Sequence, residues 1–358
     1  MSSGRLYGIW KEQIRVLRPD QRITQIQNFA WMMVGIYESR SVHLSKIAGK
    51  ILGNAKLLSA VRRLERFVDN KAIKVREWYE PIAKRWIEAQ WQHLGEIRLI
   101  VDGTKIGFGH QLLMVSLAYR RRSLPIAWDW VNYVRGHTNG KKQIALLKYV
   151  KGLLPPKAIV YLVGDTEFGS LLVMKQLNQW QWRRTLRQKS NTGFRVGKFD
   201  AWQTLGSFVQ KPGDSVWFPE GFLTQQFAFP TAVLIYWKIG EKEPWCLATN
   251  MPDCKLVLQC YKRRMWIEEM FGDLKRHGFN LESTMLRTAE HLSRLTLVVA
   301  FLFDWLISAR TKVINIGLRP LVDRKDRRDL SLFQIGWRFI ERQVLRHLPF
   351  PLSLCTYL

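Results

Sequence analysis

Three carboxylates stand where a divalent cation could be held. Asp102 lies in Ile100-Val101-Asp102-Gly103-Thr104-Lys105, at the centre of an apolar, β-branched run. An aspartate in such a run is costly unless something pairs with it. Asp165 lies in Val163-Gly164-Asp165-Thr166-Glu167-Phe168, just past a short, nearly all-apolar run. That is the end of a strand where α/β sheets place their ligands, and it is equally a place for a helix cap. The third carboxylate comes from the segment Tyr261 to Lys275, in which Tyr261, Arg264, Glu268 and Lys275 are offset by 0, 3, 7 and 14 positions. On a helix turning about 100° per residue these four fall within roughly 60° of one another. Glu269 sits about 100° away from Glu268 and leaves the stripe, so helical geometry selects Glu268. The plainer reading of such a stripe is a solvated, salt-bridged helix face.

The elements that would position these groups can be read from hydrophobic periodicity. Residues from about 22 to 95 lack strand alternation and read as helices. Leu57, Val61, Leu64 and Val68 recur at helical spacing, with Lys56, Arg62, Arg63 and Arg66 on the other side. That basic side is either a solvated face or a DNA contact. From Glu96 the texture predicts strands over Ile97–Ile106, Gln111–Tyr119 and Leu124–Trp130, then a helix over Lys142–Leu153 that stops at Pro155-Pro156. Ala158–Val163 reads as a strand buried on both faces, and Phe168–Trp180 as the helix after it. Glycines, prolines and short aromatic runs predict a β-rich insertion, whose start carries Arg183, Arg184, Arg187, Lys189, Arg195 and Lys198. Trp245–Thr249 then reads as a further core strand, Gln259–His277 as a long helix and Leu292–Arg310 as another. The expected order is a helical domain over 1–95, an α/β core with one mixed sheet over 96–182 and 244–312, a β-rich insertion over 183–243 and a C-terminal helical segment over 313–358.

The chain has 358 residues, 56 Lys and Arg against 29 Asp and Glu, and a formal net charge of +27. With 47% hydrophobic residues it is a packed protein rather than a basic tail. An excess that large points to an acidic partner, and a nucleic-acid backbone is the commonest. Cys246, Cys254, Cys260 and Cys355 form no C-x-x-C pair and have no histidine at zinc-ligand spacing, which argues against structural zinc and against a disulfide framework. The N-terminus lacks the apolar core of a signal peptide. The apolar stretch Leu292–Ile307 is interrupted by Arg294 and Asp304, and reads as a buried core helix in a cytoplasmic protein.

Tyr261, Arg264, Glu268 and Lys275, at these spacings, form a Y-R-E-K signature, and the chain resembles the bacterial insertion-sequence DDE transposases that carry it. The Asp-Gly-Thr segment at Asp102 and Gly-Asp-Thr-Glu-Phe-Gly at Asp165 resemble that group's two aspartate motifs. The similarity covers roughly residues 50 to 310, including Arg63-Leu64-Glu65-Arg66-Phe67; Thr166 departs from it, because many relatives carry Arg after the second aspartate. The resemblance implies an RNase H-like core of the retroviral-integrase type with an N-terminal helical DNA-binding domain. It implies that Asp102, Asp165 and Glu268 hold two Mg²⁺ ions, with Mn²⁺ able to substitute, for in-line phosphoryl displacement. Water would nick the transposon end, the freed 3′-hydroxyl would form a hairpin on the opposite strand, and after hairpin opening it would be joined to target DNA. Arg264, Lys275 and Tyr261 would contact phosphates. Trp245 is either a packed strand residue or, as in relatives, a stacking face for a flipped base. Arg62, Arg63, Arg66, Arg183 and Arg184 are further candidate DNA contacts. The partners implied are double-stranded DNA, as element ends and target, and a second copy of the chain, in a nucleoid-associated bacterial protein with no membrane contact.

Glu167 is a weaker rival to Asp165. His110 and His137 lack suitably spaced partners for metal, and Arg120-Arg121-Arg122 is a solvated turn or a DNA contact. Three rivals stand beside this reading: a catalytically silent DNA-binding protein on the same scaffold, a structure-selective nuclease without strand transfer, and, weakest because no spanning or amphipathic anchor stands out, a membrane-associated basic protein. The intact carboxylates weigh against the first. The insertion and Trp245 weigh against the second.

Overall fold

Helical periodicity governs the first quarter of the chain in the computed structural model, which describes residues 2–51, 53–107, 109–132, 138–324 and 330–348. Five helices form there: α1 (Ser2–Leu17), α2 (Ile23–Ser39), α3 (Leu44–Ala48), α4 (Leu57–Asp69) and α5 (Val75–Leu94). Helix α1 precedes the region expected to be helical. It forms because Leu6, Trp10, Ile14 and Leu17 make one apolar edge, and all four are buried. Helix α5 ends at Gly95, whose φ of 67° supplies the left-handed stop that glycine adopts without strain.

The strands that follow are β1 (Glu96–Ile106), β2 (His110–Tyr119) and β3 (Arg122–Asn132), an antiparallel meander. Helix α6 (Gly140–Leu153) leads to β4 (Ile159–Gly164), which returns parallel to β1. Helix α7 (Leu171–Gln179) then leads to β5 (Arg183–Gln188), parallel to β4. The helix expected over Phe168–Trp180 is shorter because a 3₁₀ turn occupies 166–168 and Ser170 caps α7, its hydroxyl accepting from the Val173 N–H.

The stretch from residue 183 contributes to two sheets. Strands β6 (Gly193–Arg195), β7 (Gln203–Thr204), β9 (Phe222–Leu223) and β10 (Phe229–Pro230) make a small sheet, while β5, β8 (Ser215–Phe218) and β11 (Ala232–Tyr236) lie in the large one. With β12 (Trp245–Thr249) the large sheet has eight strands in the order β3-β2-β1-β4-β5-β12-β11-β8. It is the mixed α/β sheet that the resemblance implies, extended at one side by part of the β-rich stretch.

Four helices complete the described residues: α8 (Cys254–Lys262), α9 (Met265–Leu274), α10 (Ala289–Asn315) and α11 (Leu332–Leu345). The long helix expected over Gln259–His277 is two helices. Backbone N–H groups of Arg263 and Arg264 reach back only three residues, to Cys260 and Tyr261, which tightens the chain between α8 and α9.

Helix α10 is long and apolar enough to cross a membrane, yet 94% of its most apolar window is buried inside the fold. Its interrupting charges have internal partners. Arg294 donates to the carbonyl of Val68 at 2.8 Å, and the fully buried Asp304 accepts from the Tyr79 hydroxyl at 2.6 Å. Burial pushes the Asp304 carboxyl well above the usual range, with the Tyr79 hydroxyl opposing the rise. Phe301 packs against Phe29 of α2 and Trp305 against Trp10 of α1, so the N-terminal helices share one core with the helix behind the sheet.

Candidate active site

The middle of β1 carries the first carboxylate. Asp102 is 7% exposed; one oxygen accepts from the Gly103 N–H at 2.8 Å and the other from Arg264 Nη1 at 3.0 Å. Burial pushes its pKa up to about 7, with Arg264 and the Gly103 N–H holding it lower and the charges of Asp165 and Glu268 adding to the rise. Gly103 is needed beside it: a Cβ there would clash with Gln111 Nε2 and meet Glu167 Oε2 at 2.9 Å. Those two side chains are hydrogen bonded across it at 2.8 Å.

Asp165 caps nothing through its side chain, which removes the plainer reading of its position. It follows β4 directly, with Arg187 of β5 at 4.0 Å. Its Oδ1 is buried and makes no hydrogen bond among the described residues. Glu167, the rival, is occupied: its carboxylate accepts from Gln111 Nε2 and from the Thr138 N–H and hydroxyl, tying β2 and the segment before α6 to the end of β4.

Glu268 lies in the first turn of α9, 43% exposed at its side chain, and pairs with Arg264 Nη2 at 2.5 Å. Glu269 instead faces Arg122 of β3, at 3.1 Å, as helical geometry requires of its neighbour. Arg264 therefore ties Asp102 to Glu268. Burial works against its charge, yet Tyr261, Asp102, Asp165 and Glu268 together hold its pKa above the ordinary arginine value. Tyr261, 2% exposed, packs its ring against Trp245 at 5.2 Å, and burial raises its phenol pKa while Arg264 and Arg187 oppose the rise.

Several expected contacts are placed elsewhere. Lys275 lies beyond the last residue of α9, in a non-helical conformation, and pairs with Glu282 at 3.5 Å, so it leaves the stripe shared by the other three. Arg184 is 1% exposed, donates to Asn178 and Thr231 and packs over Phe229; it is an interior residue and not a surface DNA contact. Burial lowers its pKa to about 9. Arg183, by contrast, is exposed at the start of β5 and donates to the Tyr161 hydroxyl, while Arg184 and Thr185 after it are both buried. Trp245 is 8% exposed between Tyr236 and Tyr261, so a base could stack on it only after one of those rings moved.

On α4, Arg62 and Arg66 are exposed and line a surface cavity of about 780 Å³ together with Asp69 and His291; Arg63 is half-buried. Arg122 pairs with Glu269 and Asp273, and Arg120 donates to Asn315, so two of the three arginines of this turn have internal partners, while Arg121 is exposed. His110 packs edge-on to Trp130, and His137 lies outside the described residues. Arg187, offered by the sequence only as one of a basic run, is the residue of that run that the structure places beside Asp165.

The site residues fit divalent metal by donor type. All three carboxylates offer oxygen, which suits hard cations, and Asp165 Oδ1 is a buried acceptor without a hydrogen bond. Among the described residues, however, no three potential ligands stand close enough to share one ion as they are. The positive charge at this place is supplied by Arg264.

A family model described as a transposase DDE domain matches residues 93–303. The chain belongs to the DDE transposase domain family. The match takes in Asp102, Asp165, Glu268 and Arg264. No curated protein matches the sequence. Among solved structures, a piggyBac transposase synaptic complex with hairpin DNA is similar, at 9% identity and a TM-score of 0.46, over 98% of this chain and 80% of that one.

Proposed function

We propose that this transposase domain works by a cut-and-paste route on double-stranded DNA, with Asp102, Asp165 and Glu268 as its catalytic carboxylates. The supporting observation is their pairing, inside the matched segment, with two guanidiniums: Arg264 joins Asp102 in the middle of β1 to Glu268 at the start of α9, and Arg187 stands 4.0 Å from Asp165 at the end of β4. Two bound Mg²⁺ ions, or Mn²⁺ in their place, would supply activation of the attacking oxygen and stabilisation of the leaving one.

The chain's own groups have separable tasks. Asp102 is fixed by the sheet, and Asp165 is held at a strand end with a free acceptor. Glu268 is the exposed member, carried in the first turn of α9. Arg264 and Arg187 offer forked donors for the non-bridging oxygens of a phosphate, and Tyr261 can add a hydroxyl.

Water attacks the phosphorus at the element end and the 3′-oxygen leaves as a hydroxyl. That hydroxyl then attacks the opposite strand, closing a hairpin and releasing the flank. Hydrolysis of the hairpin regenerates the 3′-hydroxyl, which attacks target DNA. Exposed Arg62 and Arg66, with Arg63, Arg183 and Lys275, are proposed to hold the duplex at a distance from the chemistry, and a second copy of the chain to bring the other end.

The test is a product analysis with DNA carrying the ends of the chain's own element, in Mg²⁺. Nicked, hairpin and strand-transfer products are expected in that order. Nicks that are never followed by joining would mean a nuclease without strand transfer.

A further inference from the structure

The proposed metal ligands already hold a cation. Arg264, 7% exposed, binds Asp102 Oδ2 at 3.0 Å through one terminal nitrogen and Glu268 Oε1 at 2.5 Å through the other. A second guanidinium, Arg187, stands 4.0 Å from Asp165. With all three carboxylates ionised, three of them against two guanidiniums leave one negative charge. One divalent ion would turn this into one positive charge, and a pair of ions into three, all in a partly desolvated place. Like charges at close range disfavour that filling strongly. Nor is there geometric room, because among the described residues no three ligands converge on one point while Arg264 bridges two of them.

We propose that Arg264 is a resident counter-ion that competes with divalent metal for Asp102 and Glu268, and that a DNA phosphate relieves the competition by drawing the guanidinium away. A phosphodiester supplies what Arg264 loses, an oxygen acceptor for each of its two terminal nitrogens, and brings the negative charge that the metal-filled centre needs. The DNA-free protein then binds metal weakly, and metal and DNA strengthen each other's binding by the same factor, as linkage requires. Premature loading of the centre is thereby suppressed without any separate regulatory domain. This inference rests on the proposed assignment of the three carboxylates as metal ligands.

The experiment titrates the full chain with Mn²⁺ alone and reads free Mn²⁺ by electron paramagnetic resonance, for wild type, Arg264→Gln and Asp165→Asn. Arg264→Gln, which keeps a hydrogen-bond donor without the charge, is expected to bind Mn²⁺ about tenfold more tightly than wild type. Asp165→Asn is expected to bind it more weakly. Equal affinity of Arg264→Gln and wild type, with Asp165→Asn weakened, overturns the counter-ion role and leaves the ligand assignment standing. Asp165→Asn binding as wild type overturns the assignment itself.

Should Arg264→Gln not fold, wild type carries the test through its affinity for a short labelled duplex, with and without Ca²⁺ at constant ionic strength. Tighter duplex binding with Ca²⁺ in wild type, lost in Asp165→Asn, supports the linkage. The same affinity with and without Ca²⁺ overturns it.

Discussion

Glu268 and Glu269 are adjacent in the chain but face different partners, Arg264 and Arg122. Helical geometry made that separation legible, because the direction of a side chain on a helix is set by the backbone. Glu269→Gln is therefore expected to retain DNA cleavage within about threefold of wild type, a change below about 1 kcal/mol; a loss as deep as that of Glu268→Gln would reverse the assignment. Asp102 was legible for a related reason, an acid in an apolar strand. The destination of Arg264 was not, since the partner of a long, flexible side chain depends on tertiary approach rather than on spacing. Gly103 offers a second check at this scale. Gly103→Ala forces its methyl into the Gln111–Glu167 pair, and about 1–3 kcal/mol of stability is expected to be lost in urea unfolding. An unchanged urea midpoint would mean that the pair moves aside freely.

Elements were legible where periodicity and punctuation agreed. Strands β1 to β4 and helix α6 fall within a few residues of expectation. The tightening between α8 and α9 was not, because Lys262-Arg263-Arg264 contains no proline or glycine to mark it. Its consequence is Lys275, which the shorter α9 leaves outside the stripe. The membership of β5, β8 and β11 in the large sheet was equally hidden, since pairing partners are chosen by the fold and not by the strand's own residues. Helix α10 carries a testable cost of burial. Asp304 has its folded pKa raised by burial, so its neutral form stabilises the fold fully below the unfolded value near pH ~4, and that contribution is lost as pH rises towards the folded value. Asp304→Asn keeps an acceptor for the Tyr79 hydroxyl and removes the cost of ionisation. Its melting temperature is expected to equal that of wild type near pH ~4 and to exceed it at neutral pH. A variant melting lower than wild type at neutral pH would show that Asp304 acts as a charged group.

For the molecule as a whole, a net charge of +27 predicts that counterion release supplies much of the affinity for a duplex. Duplex binding is expected to fall with a slope of about −0.9 per phosphate contact in a log–log plot against salt. Arg62→Ala and Arg66→Ala, exposed on α4, should each reduce that slope by about 1. Arg184→Ala should leave the slope unchanged and lower stability by about 1–3 kcal/mol, because its donors serve the interior. The reverse pattern would move the DNA surface from α4 to β5. Overall charge was legible from composition, but which arginines are free to meet DNA was not, because burial is decided by packing. The most direct measurement on the whole molecule is cleavage of element-end DNA in Mg²⁺ by wild type, Asp165→Asn and Glu268→Gln, with melting temperatures recorded on the same samples. The expected result is a loss of at least about a hundredfold in both variants, about 2.7 kcal/mol of transition-state stabilisation, without a fall in melting temperature. Cleavage at the wild-type rate by a folded Glu268→Gln would contradict the assignment of Asp102, Asp165 and Glu268 as the catalytic centre.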